Sequence, residues 1–191
     1  MTYAYFFRFL LGLVFIGITG ALHSVSFAQQ EDLYRIGPKD TLIVSVWKDE
    51  NLTRQIVVPP DGVISFPLVD DIKAKDMTVS ELRKVLTERL SEFIPDPTVN
   101  VMLMTANSMT AFVIGKVMKP GEFPIGMESN VMQILAMAGG LNPFAASTMI
   151  LILRQAGGTT VKVPFNYEKV VKGEEIEQNI LLRRGDVVVV P

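Results

Sequence analysis

The sequence predicts an α+β protein built from two small mixed modules, each a β-sheet with a helix packed on one face. Short β-branched runs separated by Pro-Gly turns recur along the chain, and each half contains one capped helical pattern. The halves also echo one another. "PDGVISFPL" and "KPGEFPI" each precede a helix, and "IGPKDTLIVSV" near one end matches "RRGDVVVVP" at the other. These echoes are too irregular for a solenoid repeat.

Residues 1–28 are predicted to form a secretory signal peptide. Arg8 precedes an apolar run over 9–22, and Ser26-Phe27-Ala28 supplies the small residues of a cleavage site. The alternative is an uncleaved membrane anchor, which needs about 20 apolar residues, more than this run contains. Removing these 28 residues from 191 leaves 163, enough for one domain or two small ones packed together.

Composition narrows the possible chemistry. The chain has no cysteine, and its one histidine, His23, lies in the predicted signal peptide. The exported chain would therefore lack the residues of Ser-His-Asp and Cys-His catalysis and the usual zinc ligands. We expect no catalytic residue, no metal and no cofactor. The formal charge of −2 comes without a basic cluster, so nucleic acid is not an expected partner.

The first module, a sheet with its helix, is predicted over 29–105. Its strands are β-branched and apolar runs at 42–47, 55–58, 63–66 and 98–104, with 48–54 as a polar loop. Gly37-Pro38 marks the turn before the first strand. In "PPDG", Asp61 caps its own backbone and Gly62 tolerates positive φ. We therefore expect strands 55–58 and 63–66 to form a hairpin.

The helix of the first module is predicted to begin at Thr78 and to end before Pro95 and Pro97. Thr78 and Glu81 have capping-box spacing, in which each side chain bonds the other residue's backbone N–H. The apolar face recurs at helical spacing: Val79, Leu82, Val85, Leu86, Leu90 and Phe93. The polar stretch 105–110 then separates the modules.

The second module, a β-grasp-like sheet with its helix, is predicted over 110–191. Its strands are expected at 111–117, 122–125, 149–154, 160–165 and 186–190. Lys119-Pro120-Gly121 is predicted to turn the first strand into the second, because Pro presets φ and Gly121 tolerates positive φ. Gly185 and Asp186 form a turn signature before the last strand.

The helix of the second module is predicted to run from an N-cap at Ser129 to Ala138. Its expected apolar face is Val131, Ile134, Leu135 and Ala138. Gly139 and Gly140 should end the helix in a Schellman-type motif, with Leu141 making its hydrophobic contact.

Four stretches invite a catalytic or phosphate-binding interpretation. "KVMKPGEFPI" (116–125) runs into a strand, whereas a P-loop runs into a helix and follows its lysine with Ser or Thr, so a hairpin is expected. "AGGLNPF" (138–144) lacks the third glycine of a dinucleotide fingerprint and fits a helix C-cap. Asp70-Asp71 and Glu174-Glu175 are adjacent pairs, which point to opposite faces of a strand and suit solvated charge better than acid–base work.

Four residues are candidate ligand contacts: Trp47, Asp61, Lys119 and Asn142. They lie at turn tips and element ends, which usually form the exposed rims of such modules. Trp47 is a possible platform for stacking a sugar. A lone Trp on a strand, however, is more often a core residue.

The two halves resemble two known domains in series. "YRIGPKDTLIVSVW…VVPPDGVISFPLV…MTVSELRKVLTERLSEFIPDPTVNVML" resembles the polysaccharide export sequence domain of bacterial outer-membrane polysaccharide export proteins. "AFVIGKVMKPGEFPI…VMQILAMAGGL…LILR…LLRRGDVVVVP" resembles the SLBB (soluble-ligand-binding β-grasp) domain that follows it there. The resemblance covers nearly all of 33–191. The ending further resembles short members found beside exosortase-type exopolysaccharide gene clusters.

This resemblance implies a non-catalytic, ring-forming homo-oligomer that helps a polysaccharide polymer cross the outer membrane. It would lie in the periplasm, associated with the outer membrane, and work with an inner-membrane polysaccharide co-polymerase. Long family members begin with a lipidated cysteine and end in a pore-forming amphipathic helix. This chain has no cysteine, and only Pro191 follows its last predicted strand, so we expect a separate outer-membrane pore protein.

Two other hypotheses remain open. One is a periplasmic saccharide-binding or sensing module without a conduit role. The other is a carboxylate-dependent enzyme that modifies glycans through Asp70 or Asp71.

Overall fold

The computed structural model describes residues 34–191, so the predicted signal peptide lies outside the described residues. The strands of this part are β1 Thr41–Val46, β2 Asp49–Val57, β3 Val63–Phe66, β4 Val69–Lys73, β5 Val99–Thr105, β6 Thr110–Gly115, β7 Gly121–Pro124, β8 Ile150–Ala156, β9 Thr159–Phe165 and β10 Val187–Val190. The α-helices are α1 Val79–Leu90, α2 Val131–Met137 and α3 Tyr167–Val171, and a 3-10 turn covers Ile176–Gln178. This mixed content confirms the predicted α+β class.

The first half of the described chain is a three-stranded antiparallel sheet, a hairpin and a helix around one core. The sheet has the order β2-β1-β5, and β3 pairs with β4 in a separate hairpin. The inward residues of β1 and the buried residues of α1 meet in this core: Leu42, Val44, Val46, Leu82, Leu86 and Leu90. Each such side chain stabilises the fold by about 1.5–3 kcal/mol through burial.

Helix α1 begins in a reciprocal capping box. The Thr78 hydroxyl accepts a hydrogen bond from the Glu81 N–H at 3.1 Å, and the Glu81 carboxylate accepts from the Thr78 N–H at 2.7 Å. The backbone hydrogen bond from Thr78 is the main reason why the pKa of Glu81 is lowered. The expectation that Phe93 lies on the buried face was wrong, because the helix ends at Leu90 and Phe93 is 58% exposed.

Strand pairing in this half differs from the predicted hairpin. Residues 49–54, expected as a loop, belong to β2, and β2 pairs with β1 rather than with β3. The Val58 N–H, just after β2, still donates to the Asp40 carbonyl at 2.8 Å. Pro59 and Pro60 follow and have no backbone N–H, so the pairing ends there. The partner of β3 is β4, a strand that the sequence reasoning missed because its Asp70-Asp71 pair has low β-propensity.

The second half is a five-stranded mixed sheet with the order β7-β6-β10-β8-β9, in which β10 runs parallel to β6 and antiparallel to β8. Its core is a separate buried cluster, to which α2 contributes all four residues of its predicted face. The predicted hairpin of β6 and β7 is present, joined by the five residues 116–120. Gly121 has the expected positive φ, +159°, although it is the first residue of β7 rather than a residue of the connecting loop.

Hydrogen bonds between neighbouring residues determine where α2 begins and ends. Its N-cap is Asn130 rather than Ser129, since the Asn130 side chain accepts from the Gln133 N–H at 3.0 Å, while the Ser129 hydroxyl accepts from the Gly126 N–H. At the other end the Gly139 N–H donates to Ala136 and the Gly140 N–H to Leu135, the two bonds of a Schellman motif. Helix α3 and the 3-10 turn were not predicted.

The similar sequences near the two ends of the chain, "IGPKD" and "RRGD", form turns of the same kind. The Asp40 carboxylate accepts from the Gly37 N–H at 2.7 Å, and the Asp186 carboxylate accepts from the Arg183 N–H at 2.8 Å, three residues back in both cases. The third residue of each turn has positive φ, +73° at Lys39 and +80° at Gly185. Both aspartates are buried, and each immediately precedes a core strand, β1 or β10.

Candidate functional site

A groove beside Trp47 at the end of the first sheet is the candidate functional site, and we call it the Trp47 groove. It is lined by Ser45, Val46, Trp47, Lys48, Asp49, Glu50, Thr53, Thr98 and Asn100. Strands β1 and β2 and the residues before and within β5 all contribute to it.

A bulge in β2 shapes the groove. The ladder pairs Val44 with Arg54 and Val46 with Asp49, so the four residues 50–53 of β2 face a single residue of β1. Leu52 from this insertion is buried in the core and holds the bulge in place. Bulges of this kind redirect side chains and are frequent beside binding sites.

Trp47 stands on the exposed side of the sheet. Its backbone N–H donates to the Thr98 carbonyl at 2.9 Å, which fixes the residue against the start of β5. Val46 points inward and is 4% exposed, whereas Trp47 is 73% exposed. The interpretation of Trp47 as a core residue was therefore wrong.

Apart from Trp47 and Val46, the side chains that line the groove are polar or charged, and the groove carries a small negative charge. Lys48 is its one cation, and Asp49 and Glu50 are its carboxylates, which gives a formal charge of −1. Asp49 also accepts a hydrogen bond from the Asn51 N–H at 3.1 Å, while Glu50 is exposed. The hydroxyls and the amide in the lining can donate and accept hydrogen bonds. This donor set suits reversible binding of a polyhydroxylated ligand.

The other three predicted contacts lie elsewhere. The Asp61 carboxylate accepts from the Val63 N–H at 3.0 Å, and the Asn142 side chain accepts from the Phe144 N–H at 2.9 Å, so both serve their own turns. Lys119 is exposed in the loop before β7, opposite the glycines that end α2. None of the three lines the Trp47 groove. Among residues 34–191, no three His, Cys, Asp or Glu side chains are grouped to hold a metal ion.

A second cluster of polar residues joins the two halves, and we call it the Tyr34 cluster: Tyr34, Gly37, Asp40, Ser108 and Arg184. The fully buried Asp40 carboxylate accepts from the Tyr34 hydroxyl, from the Gly37 N–H and, at 2.7 Å, from the Ser108 N–H. Burial, followed by the hydrogen bond to Asp40, raises the pKa of Tyr34 to about 12.

Arg184 brings the second half onto this cluster. Its guanidinium lies 5.9 Å from the centroid of the Tyr34 ring and donates to the Arg35 carbonyl. A Cβ added at Gly37 would lie 2.5 Å from the Ser108 hydroxyl and closer still to the Arg184 guanidinium. A side chain at position 37 would therefore force the ends of the Ser108 and Arg184 side chains to shift. Sequence reasoning missed Tyr34, Asp40 and Arg184, although the aspartate recurs in the end-to-end echo.

A buried ion pair stabilises the last strand. Asp186 is 1% exposed, and its carboxylate accepts from Arg154 Nη2 at 2.7 Å and Nε at 3.0 Å. Arg154 Nη2 also donates to the Leu181 carbonyl at 2.8 Å. The pair ties β8 to the turn before β10, so its role is structural.

Two protein-family models match the chain, and the boundary between the two matches coincides with the boundary between the two hydrophobic cores. Residues 28–104 match the family described as "Polysaccharide biosynthesis/export protein", and residues 109–190 match the SLBB domain. The first match contains the Trp47 groove, and the second contains the sheet that ends in β10. Residues 34–191 contain no helix that is both long and apolar enough to span a membrane.

Several curated proteins are similar to the chain. The EPS I polysaccharide export outer membrane protein EpsA of Ralstonia nicotianae is 28% identical over 81% of this chain and 46% of its own length. The polysialic acid transport protein KpsD of Escherichia coli is 26% identical over 74% of this chain and 25% of its own. The capsule polysaccharide export outer membrane protein CtrA of Neisseria meningitidis serogroup A is 29% identical over 69% of this chain and 33% of its own length. The chain thus spans less than half the length of these relatives.

Proposed function

We propose that the chain is a non-catalytic component of exopolysaccharide export, because it belongs to the family of outer-membrane polysaccharide export proteins. The order of the two matching domains, 28–104 followed by 109–190, is the observation that carries this proposal. The relatives named for polysaccharide export or transport support it. In this proposal the exported polysaccharide is the ligand of the chain.

In this proposal the chain is exported by its signal peptide and works in the periplasm beside the outer membrane, as a homo-oligomeric ring. The inner-membrane partner is a polysaccharide co-polymerase, and a separate protein provides the outer-membrane pore. Exposed apolar side chains support self-association, since subunit packing would bury them. Phe144 is 80% exposed and Met149 is 62% exposed in the second half.

Deleting the gene in its native host tests the export role. Loss of extracellular polymer with accumulation in the periplasm is expected, and complementation with the wild-type chain should restore secretion. Normal secretion with altered regulation of synthesis would instead support the sensing module, the alternative that the exposed Trp47 favours. Native mass spectrometry of the mature chain tests the ring. A strictly monomeric chain, even with its co-polymerase partner present, would rule the ring out.

The enzyme hypothesis has its own test. Asp70 and Asp71 are exposed on β4, and the Asp71 carboxylate accepts from the Ser65 hydroxyl at 2.5 Å. We expect Asp70→Asn and Asp71→Asn to leave polymer length and secretion unchanged. Altered polymer length in a folded variant would favour catalysis over transport.

A further inference from the structure

We infer that the Trp47 groove binds a neutral pyranose segment of the exported polymer, with the indole as its stacking platform. The inference rests on the proposed function, because that function supplies a glycan as the ligand. It goes beyond that function by naming the binding surface and the charge class of the sugar.

The first argument is the position of the indole. The Trp47 side chain is 73% exposed, and its backbone N–H is bonded to the Thr98 carbonyl just before β5, so an anchored backbone presents the apolar face of the indole to solvent. One face of a pyranose ring carries C–H groups of slightly positive charge, which match the negative π-face of an indole. Water solvates such an indole face poorly, so covering it with a sugar ring is favourable.

The second argument is the polar surround on the same side of the sheet. Ser45, within β1, and Trp47, in the turn that follows β1, both line the groove. Asn100 lies directly opposite Ser45 on β5. Its amide and the Ser45 hydroxyl line the same groove as the indole. One sugar can therefore stack on the indole while hydroxyls of the same segment are hydrogen-bonded by these groups.

The third argument is charge. The carboxylates of Asp49 and Glu50 outnumber the one cation in the lining, Lys48. An acidic sugar would bring its carboxylate toward like charge at this rim, whereas a neutral sugar meets no such repulsion. Exposed charge pairs change affinity by about two- to five-fold. We therefore expect an acidic oligosaccharide to bind about two- to five-fold more weakly than a neutral one of equal length at low salt.

Trp47 is the sole tryptophan of the chain, so its fluorescence reports on the groove alone. The probes are cellohexaose as the neutral oligosaccharide and hexagalacturonate as the acidic one, titrated into the mature chain. Saturable quenching by cellohexaose is expected, together with weaker binding of hexagalacturonate. An unchanged spectrum up to the solubility limit of cellohexaose would overturn the inference, and so would tighter binding of hexagalacturonate.

Calorimetry on variants identifies the surface. Trp47→Ala should weaken cellohexaose binding at least about tenfold, the loss expected from one stacking contact and its buried area. Trp47→Phe should retain part of the affinity. Phe93→Ala is the matched control, since Phe93 is an exposed aromatic that does not line the groove, and this variant should bind like the wild type. Equal binding by Trp47→Ala, with a wild-type melting curve, would contradict the inference.

Glu50→Gln tests the charge argument separately. The variant removes one exposed carboxylate and keeps the side-chain shape, so the preference for cellohexaose over hexagalacturonate should shrink. An unchanged preference would overturn the assigned charge selectivity. The export role is judged independently by gene deletion. Lost secretion without oligosaccharide binding would refute the groove alone, whereas normal secretion with binding would refute the export role.

Discussion

Removing the guanidinium of Arg154 is expected to destabilise the chain strongly. Asp186 is 1% exposed, and Arg154→Met would leave its carboxylate in the core with the Arg183 N–H as its remaining donor among the contacts described. Removing one partner of a buried ion pair typically costs about 3–5 kcal/mol, because the other charge stays buried without compensation. Methionine retains most of the apolar stem, so lost packing adds little.

Urea denaturation followed by far-ultraviolet circular dichroism measures this loss, which should also lower the Tm by about 6–20 °C for a chain of this size. Arg183→Met is the matched control. The Arg183 side chain is exposed and only its backbone groups bond to Asp186, so the free energy of unfolding of this variant should change by less than about 0.5 kcal/mol. Arg154→Met combined with Asp186→Asn should recover part of the loss. Equal stability of the two single variants would refute the reasoning.

Three further outcomes are expected. Thr78→Ala removes the N-cap of α1 and should lower the free energy of unfolding by about 1 kcal/mol in denaturant titrations, while Thr78→Ser should retain most of it. Gly37→Ala places a methyl group against the Arg184 guanidinium and should lower the Tm, and adding Arg184→Ala should restore part of it. The pKa of Tyr34 is raised from 10.0 to about 12, so its contribution to stability is fully present below pH 10 and is lost as pH rises toward 12. Absorbance titration of wild type against Tyr34→Phe should reveal this late-titrating phenol, and a difference curve centred near pH 10 would contradict it.

Local signals made much of the fold predictable. Helical spacing identified the buried faces of α1 and α2, because one stripe of each helix contacts a core. The two glycines after α2 likewise predicted the end of this helix, since a Schellman motif needs a residue with positive φ there. In each case the decisive groups lie within a few residues of one another.

Strand pairing was less predictable because the partners are distant in sequence. The "PPDG" turn indicated a hairpin between its flanking strands, yet β2 pairs with β1 and β3 with β4. The charged residues of β4 gave no β-branched pattern, so its partnership with β3 depends on packing over the core.

The candidate site was predictable only in part. Alternation placed Trp47 opposite Val46, but sequence alone does not tell which face of a sheet is covered. The bulge that opens the groove depends on the register between β1 and β2. The contact of Arg184 with the Arg35 carbonyl joins residues 149 apart, which no local pattern indicates.

Pulse-labelling of the polymer in a deletion strain tests the export role most directly. The ratio of periplasmic to extracellular label is followed over time in the deletion strain and in the same strain complemented with the wild-type chain. The export role predicts labelled polymer retained in the periplasm of the deletion strain and released after complementation. Equal release from both strains would contradict it.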